Sequence, residues 1–274
     1  MHRSILAAAA ALASAAIVPL AARADDGWSG SGEAGFAASR GNAKSENLNA
    51  KLQFKKEDDR WKDVFYLTAL RSKGEVKSTV VDNSTTPPTT NTMSNYELTA
   101  NRYEGGASAG FKLDERSYIV GALRYENDDF SPFDYQAVAS IGYGYTALKN
   151  QTDELSFEIG PGYRRYRAVD TIVTTGDPPV TTVVLHDAQG DAVGRGLMAF
   201  KHDFTDTTSL VDTLLIEAGA DNTFAQNDAG LQVAMSKKLA LKVGYQVRHN
   251  TDVAPGIKTT DQLVTTNLVY NFGE

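Results

Sequence analysis

The sequence predicts an all-β protein, a transmembrane antiparallel up-and-down β-barrel of about 12 strands. Three observations carry this. Apolar and polar residues alternate along most of the chain after residue 27, the period of an extended strand with two unlike faces. Many of the alternating stretches run to the 9–11 residues that a tilted membrane strand needs, well beyond ordinary strands. The connections sort by parity, short ones alternating with long ones, as in barrels with short turns on one side of a membrane and long loops on the other.

The chain opens MHRSILAAAAALASAAIVPLAARADD. Arg3 provides a short cationic start, Ile5 to Val18 is apolar, and Ala22-Arg23-Ala24 fits the small-x-small cleavage rule. Residues 1–24 are therefore expected to be a secretory signal peptide cut after Ala24, leaving 25–274 as the barrel. The apolar run is shorter than the roughly 20 residues of a spanning helix. No later segment offers such a run.

There is no cysteine among the 274 residues, which removes disulfides, thiolate zinc sites and thiol catalysis together. The 27 Lys and Arg face 34 Asp and Glu, a net charge of −7. An acidic chain without a basic cluster argues against nucleic-acid binding.

Strands are expected near 27–38, 45–56, 61–72, 94–112, 117–127, 135–147, 154–167, 191–203, 208–220, 229–236, 239–249 and 261–272. The stretch LALKVGYQVR shows the pattern: Leu239, Leu241, Val243, Tyr245 and Val247 share one face, opposite Lys242, Gln246 and Arg248. Leu155, Phe157, Ile159 and Tyr163 oppose Glu154, Ser156, Glu158 and Arg164 in the same way. The long connections are expected near 39–44, 73–93, 128–134, 168–190, 221–228 and 250–260, and all but the first exceed their short neighbours. Two of them, 84–92 and 174–182, set a Pro pair among threonines and should leave the ladder as projecting tips. The Gly105-Gly106 pair, where the alternation slips, is expected to mark a β-bulge. Trp28, Trp61, Tyr125, Tyr163 and Tyr166 fall near strand ends, at the depth where amphipathic rings settle.

The final strand, LVTTNLVYNFGE, places Leu268, Tyr270 and Phe272 on one face. Such an alternating, aromatic end resembles the signal read by barrel-assembly machinery. Here Gly273 and Glu274 follow the Phe, a departure from the usual terminal position.

Two motifs invite catalytic readings that their context denies. GSGEAG at Gly30–Gly35 has dinucleotide-binding spacing but lies within strand, not before a helix. GASAG at Gly106–Gly110 matches a nucleophile elbow, but Ser108 falls inside a long strand and no His follows at a defined relation, His186 lying in a loop and His202 and His249 near strand ends. His202 and His249 have no second ligand at metal spacing. The acidic stretches Asn127–Asp129 and His186–Asp191 lack the full spacing of a calcium loop. No catalytic residue, cofactor or metal is assigned.

The lumen remains as the place for function. With the apolar faces outward, Glu33, Lys51, Lys55, Glu97, Arg124, Glu126, Glu158, Arg164, Lys242 and Arg248 point inward. Such a mixed set either pairs across strands and fills the interior or lines a narrow aqueous path.

The stretches GWSGSGEAGFAASRGNAKSENL, RSYIVGALRYENDDFSPFDYQAVASIGYGY and ELSFEIGPGYR resemble the YdiY-like family of salt-induced outer-membrane proteins. The Trp-x-Gly start at Trp28, the Gly41-Asn42 turn and the Gly-Tyr-Gly-Tyr run at 142–145 carry the likeness, which covers most of the mature chain. It implies a barrel in the bacterial outer membrane and supplies no catalytic residues. The Pro-Thr loops lie outside the family pattern.

The expected function is non-enzymatic: a monomeric structural or narrow-channel barrel, with salt stress suggested by the resemblance alone. Its expected partners are outer-membrane lipid, barrel-assembly machinery and small solutes or ions. Two other classes are carried beside it. A lipid hydrolase within the barrel, like outer-membrane phospholipase A, would need a Ser-His pair on the lipid-facing side. A soluble periplasmic β-barrel that binds a ligand would need its apolar faces covered by protein.

Overall fold

The computed structural model describes residues 27–39, 44–82, 84, 89–175, 180–253 and 258–273. The expected signal peptide, the Gly41-Asn42 turn and both Pro pairs lie outside them.

Among the described residues fourteen strands form, in chain order β1 (Trp28–Ser39), β2 (Ser45–Glu57), β3 (Trp61–Asp82), β4 (Thr89–Lys112), β5 (Ser117–Asp128), β6 (Phe133–Lys149), β7 (Asp153–Ala168), β8 (Thr171–Thr175), β9 (Val180–Val184), β10 (Gln189–Thr205), β11 (Thr208–Gly219), β12 (Thr223–Ala234), β13 (Leu239–Asn250) and β14 (Thr260–Phe272). Twelve close into one antiparallel barrel, in which each strand pairs with its neighbours in the chain and β1 meets β14. The other two, β8 and β9, form a separate two-stranded hairpin between β7 and β10.

The wall has the two faces that alternation demands. Ile159 is 72% exposed and Val264 69%, while Arg164 and Glu217 are 1% exposed. On β13, Leu241, Val243 and Tyr245 lie exposed outside while Ala240 and Arg248 are buried inside. An outer surface of Leu, Ile, Val, Phe and Tyr around an interior rich in buried charged and polar groups inverts the layering of a water-soluble domain.

Both described chain ends and five short turns share one end of the barrel. Each turn is held by a side-chain oxygen that accepts backbone N–H bonds two and three residues on. Asp58 accepts from Arg60 and Trp61, Asp114 from Arg116 and Ser117, and Asn150 from Thr152 and Asp153. Thr205 accepts from Thr207 and Thr208, and Ser236 from Lys238 and Leu239. Short polar residues take these sites because their side chains mimic a turn of backbone.

All twelve expected barrel strands form, with four differences. β3 and β4 stay zipped far beyond the wall, with Asp82 opposite Thr89, so Thr89–Thr92 belongs to a strand and not to a tip. The β-branched residues of Ser78–Val81 and Thr89–Thr92 suit an extended pair. The second Thr-rich stretch likewise places Thr181 and Thr182 in β9. The register break of β4 sits at Thr99, which is skipped between Ser72↔Ala100 and Lys73↔Leu98, whereas Gly105 and Gly106 pair in step. β12 begins at Thr223, six residues early, so its connection spans only 220–222 and the parity of loop lengths fails there, as it does at 129–132, which only equals the turn at 113–116. Gln226, Asn227 and Asp228 are polar on both faces of that strand, which erases the alternation.

Aromatic rings gather near the turn end, with Trp61 edge-on to Phe111 at 5.3 Å and Phe54 beside Phe272 at 5.4 Å. Tyr166 departs from the expected girdle. It points inward and packs against Phe133 at 5.0 Å.

Candidate functional site

Going around the wall, β5 and β13 are six places apart in a ring of twelve. A side-chain bond between strands that are not neighbours can run only through the interior. Arg248 of β13 donates to Glu126 of β5 at 2.5 Å and to Asp128 at 3.1 Å. The interior is thus crossed along its full width.

Around this link lies a packed cluster in the loop-end half of the barrel. Arg124 of β5 donates to Glu126 at 2.8 Å and through two nitrogens to Glu217 of β11, the Nε bond being 3.0 Å. Its Nη1 also lies 3.9 Å from Glu104 of β4. Arg102 of β4 reaches Gln246 of β13 at 2.5 Å, and Gln246 donates in turn to Asp228. The Phe224 ring takes the Arg124 guanidinium on it at 4.7 Å and that of Arg248 at 5.0 Å. Three guanidiniums thus meet four carboxylates, Glu104, Glu126, Asp128 and Glu217, around one ring. Arginine suits such a site because its planar fork bonds two oxygens at once and stacks on aromatic faces.

Rings need room inside a narrow barrel, and glycine supplies it. Tyr66 donates to Glu104 at 2.6 Å, and its ring lies where a Cβ on Gly106 would stand, 2.3 Å away. Tyr118 reaches Glu158 at 3.1 Å across the space left by Gly144. Gly106 of the GASAG motif therefore serves packing, and Ser108 lies within β4.

Beside the cluster, Arg164 holds Asp191 through two bonds of 3.0 and 2.8 Å and the Asn222 carbonyl at 3.1 Å. Asn222 also accepts from the Thr251 and Asp252 backbone, tying two loops together over the opening. Lower in the barrel, Lys242 bonds both oxygens of Glu33 at 2.9 and 3.1 Å, and Arg195 holds Glu158 at 2.9 Å. At the turn end, Glu57 bridges to Lys149 at 3.5 Å and Glu154 to Lys62 at 3.7 Å, each between strands four places apart.

Of the ten residues expected in the lumen, Arg124, Glu126, Arg248, Arg164, Glu158, Glu33 and Lys242 all enter these contacts. Lys51 stands opposite Glu33 in the β1–β2 ladder, and Lys55 on the same face of β2 is solvent-exposed. Glu97 lies elsewhere. β4 pairs with β5 only from Arg102 onward, so Glu97, opposite Gly74, belongs to the projecting β3–β4 hairpin. It is exposed, and the break at Thr99 separates it from the wall pattern.

Sequence reasoning missed Arg102, Glu104, Asp128, Asp191, Arg195, Glu217 and Phe224. Glu217 carried a usable signal, a charge set between Ile216 and Ala218 directly after the apolar run Leu214–Ile216. Phe224 carried none, because an inward aromatic breaks the assumption that apolar faces look out. Among the described residues no group of three or more His, Cys, Asp or Glu is placed to hold a metal ion. His202 contacts Asp153 at 2.7 Å and His249 contacts Thr260 at 2.9 Å.

Comparison with known proteins finds the uncharacterized protein YdiY of Escherichia coli (strain K12), 25% identical over 182 residues. The match spans 66% of this chain and 66% of that protein, just under two thirds of each. Among solved structures, the translocator domain of the autotransporter NalP from Neisseria meningitidis aligns with a TM-score of 0.48 at 11% identity, over 98% of this chain and 97% of that one. The KdgM porin aligns with a TM-score of 0.40 at 10% identity, over 89% of this chain and 99% of that one. These identities are too low to carry a ligand or an activity across. Residues 32–272 match the family described as "Protein of unknown function, DUF481", and the chain belongs to that family.

Proposed function

We propose that this protein spans the bacterial outer membrane as a non-enzymatic barrel whose interior is closed at rest by ion pairs. Its role is structural, with a narrow path opening only when the pairs part. The reading rests chiefly on the bond from Arg248 to Glu126, which joins opposite walls of the barrel. The exposed apolar belt supports the membrane setting, since hydrocarbon is the solvent that such a surface suits.

The closed reading is the stronger of the two lumen outcomes because the charges of the central cluster bond one another. A conducting lumen keeps groups free to meet ions. Here Arg124, Glu126, Glu217 and Arg248 are all buried and mutually bonded. Salt or osmotic stress enters through the family resemblance, as the condition under which an added closed wall would serve the envelope. β14, with Leu268 and Tyr270 outward and Phe272 against Phe54, is proposed as the strand read by assembly machinery.

Proteoliposome swelling tests this. Vesicles carrying the folded protein should swell no faster than empty ones in isosmotic small sugars or amino acids. Porin-like swelling would contradict the closed state. Recovery of the folded protein from cells without detergent would contradict the membrane setting.

A further inference from the structure

Asp212 and Asn227 occupy positions where a membrane barrel presents hydrocarbon side chains. Glu217 of β11 and Phe224 of β12 are buried inside the barrel. Counting five residues back from the first, and three on from the second, places Asp212 and Asn227 on the outer face. Ile216, Leu231 and Val233 share that face and are exposed. The β11–β12 ladder runs without a break across this span. Each residue is fifth in a strand of 12, well inside the belt rather than at its rim. Asn227 donates to Asp212 Oδ1 at 2.7 Å.

A carboxyl facing lipid far from either interface is costly, and such groups usually mark a functional contact. The two side chains keep bonding capacity beyond their mutual bond. The second N–H of Asn227 has only a 3.4 Å approach to the Thr213 carbonyl. Asp212 Oδ2 takes part in no other hydrogen bond among the described residues. The pair thus holds a weakly used donor and an open acceptor side by side. Such a pattern is its own complement under a twofold rotation. On the β12 side the neighbours are small, since Ala229 stands opposite Asp212 and Ala225 lies on the same face, while on the β10 side Phe200 stands opposite Asp212 and bounds the pair.

We propose that the outer face of β10–β12 is a homodimer interface within the membrane. Asn227 of each copy donates to Asp212 Oδ2 of the other, closing a ring of four side chains. This rests on the membrane-spanning reading and not on the closed lumen.

The test uses the full mature chain refolded into lipid nanodiscs, with heat-modifiable gel mobility reporting the folded barrel. Native mass spectrometry should find two copies per disc for the wild type and for D212N, which keeps a polar partner. D212L and N227L should remain folded and fall to one copy. The chain has no natural cysteine, so A229C should form disulfide-linked dimers and L123C, on another part of the wall, should not. A folded wild type present as single copies, with A229C no more cross-linked than L123C, would overturn the proposal while leaving the membrane barrel intact. A D212L variant that stays dimeric would overturn it equally.

Discussion

Arg248 and Glu126 stand on opposite walls of a twelve-stranded ring, and their side chains meet at 2.5 Å. The contact spans the lumen from one wall to the other. It also divides the charged interior into groups whose losses should differ in size.

Arg124 should matter most for stability. Its removal strands Glu217, which has no other cation within bonding distance among the described residues and is 1% exposed. One-sided loss of a buried pair costs about 3–5 kcal/mol. R248A leaves Glu126 with Arg124, and leaves Asp128 with Arg102 at 3.9 Å. Its cost should be smaller, about 1–3 kcal/mol, because both carboxylates that lose a bond to Arg248 keep another cation nearby. Urea unfolding in bilayers, followed by tryptophan fluorescence, would rank the two. A larger loss for R248A would contradict the assignment.

The turn carboxylates set an acid limit. Asp58 accepts backbone bonds from Arg60 and Trp61, which hold its carboxyl below the usual aspartate range; Arg116 and Ser117 do the same for Asp114. A lowered folded pKa gives stabilisation that is present above the unfolded value, about 3.9, and lost as pH falls through the folded one. Carboxyl-carbon NMR titration should place both midpoints below that of unfolded aspartate. A midpoint at or above it would remove the two bonds from the account.

Gly106 should not tolerate a side chain. A methyl there meets the Tyr66 ring at 2.3 Å, so G106A must drive the ring from Glu104. The folded yield of G106A should drop, and G106A/Y66F should not recover it, whereas G106A/Y66A should. Full folding of G106A alone would show that the ring moves freely.

The closing seam should exchange first. β14 pairs with β1 only from Gly30↔Phe272 to Ala34↔Leu268, yet with β13 from Leu239↔Tyr270 to His249↔Thr260. Unpaired edges open at low cost. Hydrogen exchange should be faster over Gly35–Ser39 than over Gly30–Ala34. Equal protection would mean that the seam continues to the loop end.

Alternation made the wall legible, because lipid and lumen impose opposite demands on successive residues. It therefore located Arg124, Glu126 and Arg248 on the inner face. It failed where one environment touches both faces. The β3–β4 hairpin beyond the wall has no lipid side, so Glu97 was assigned by a rule that does not hold there. The Gln226–Asp228 run hid the start of β12, and with it Phe224. Pairing partners across the lumen, such as Glu217 for Arg124, depend on how twelve strands are staggered, which no single strand encodes.

Single-channel recording in planar bilayers, comparing the wild type with a variant carrying R124A and R248A together, tests the central claim most directly. The wild type should show no steady open level, and the double variant should show resolved ion-conducting steps once its folding is verified. Steady porin-sized conductance in the wild type, unchanged in the double variant, would contradict it.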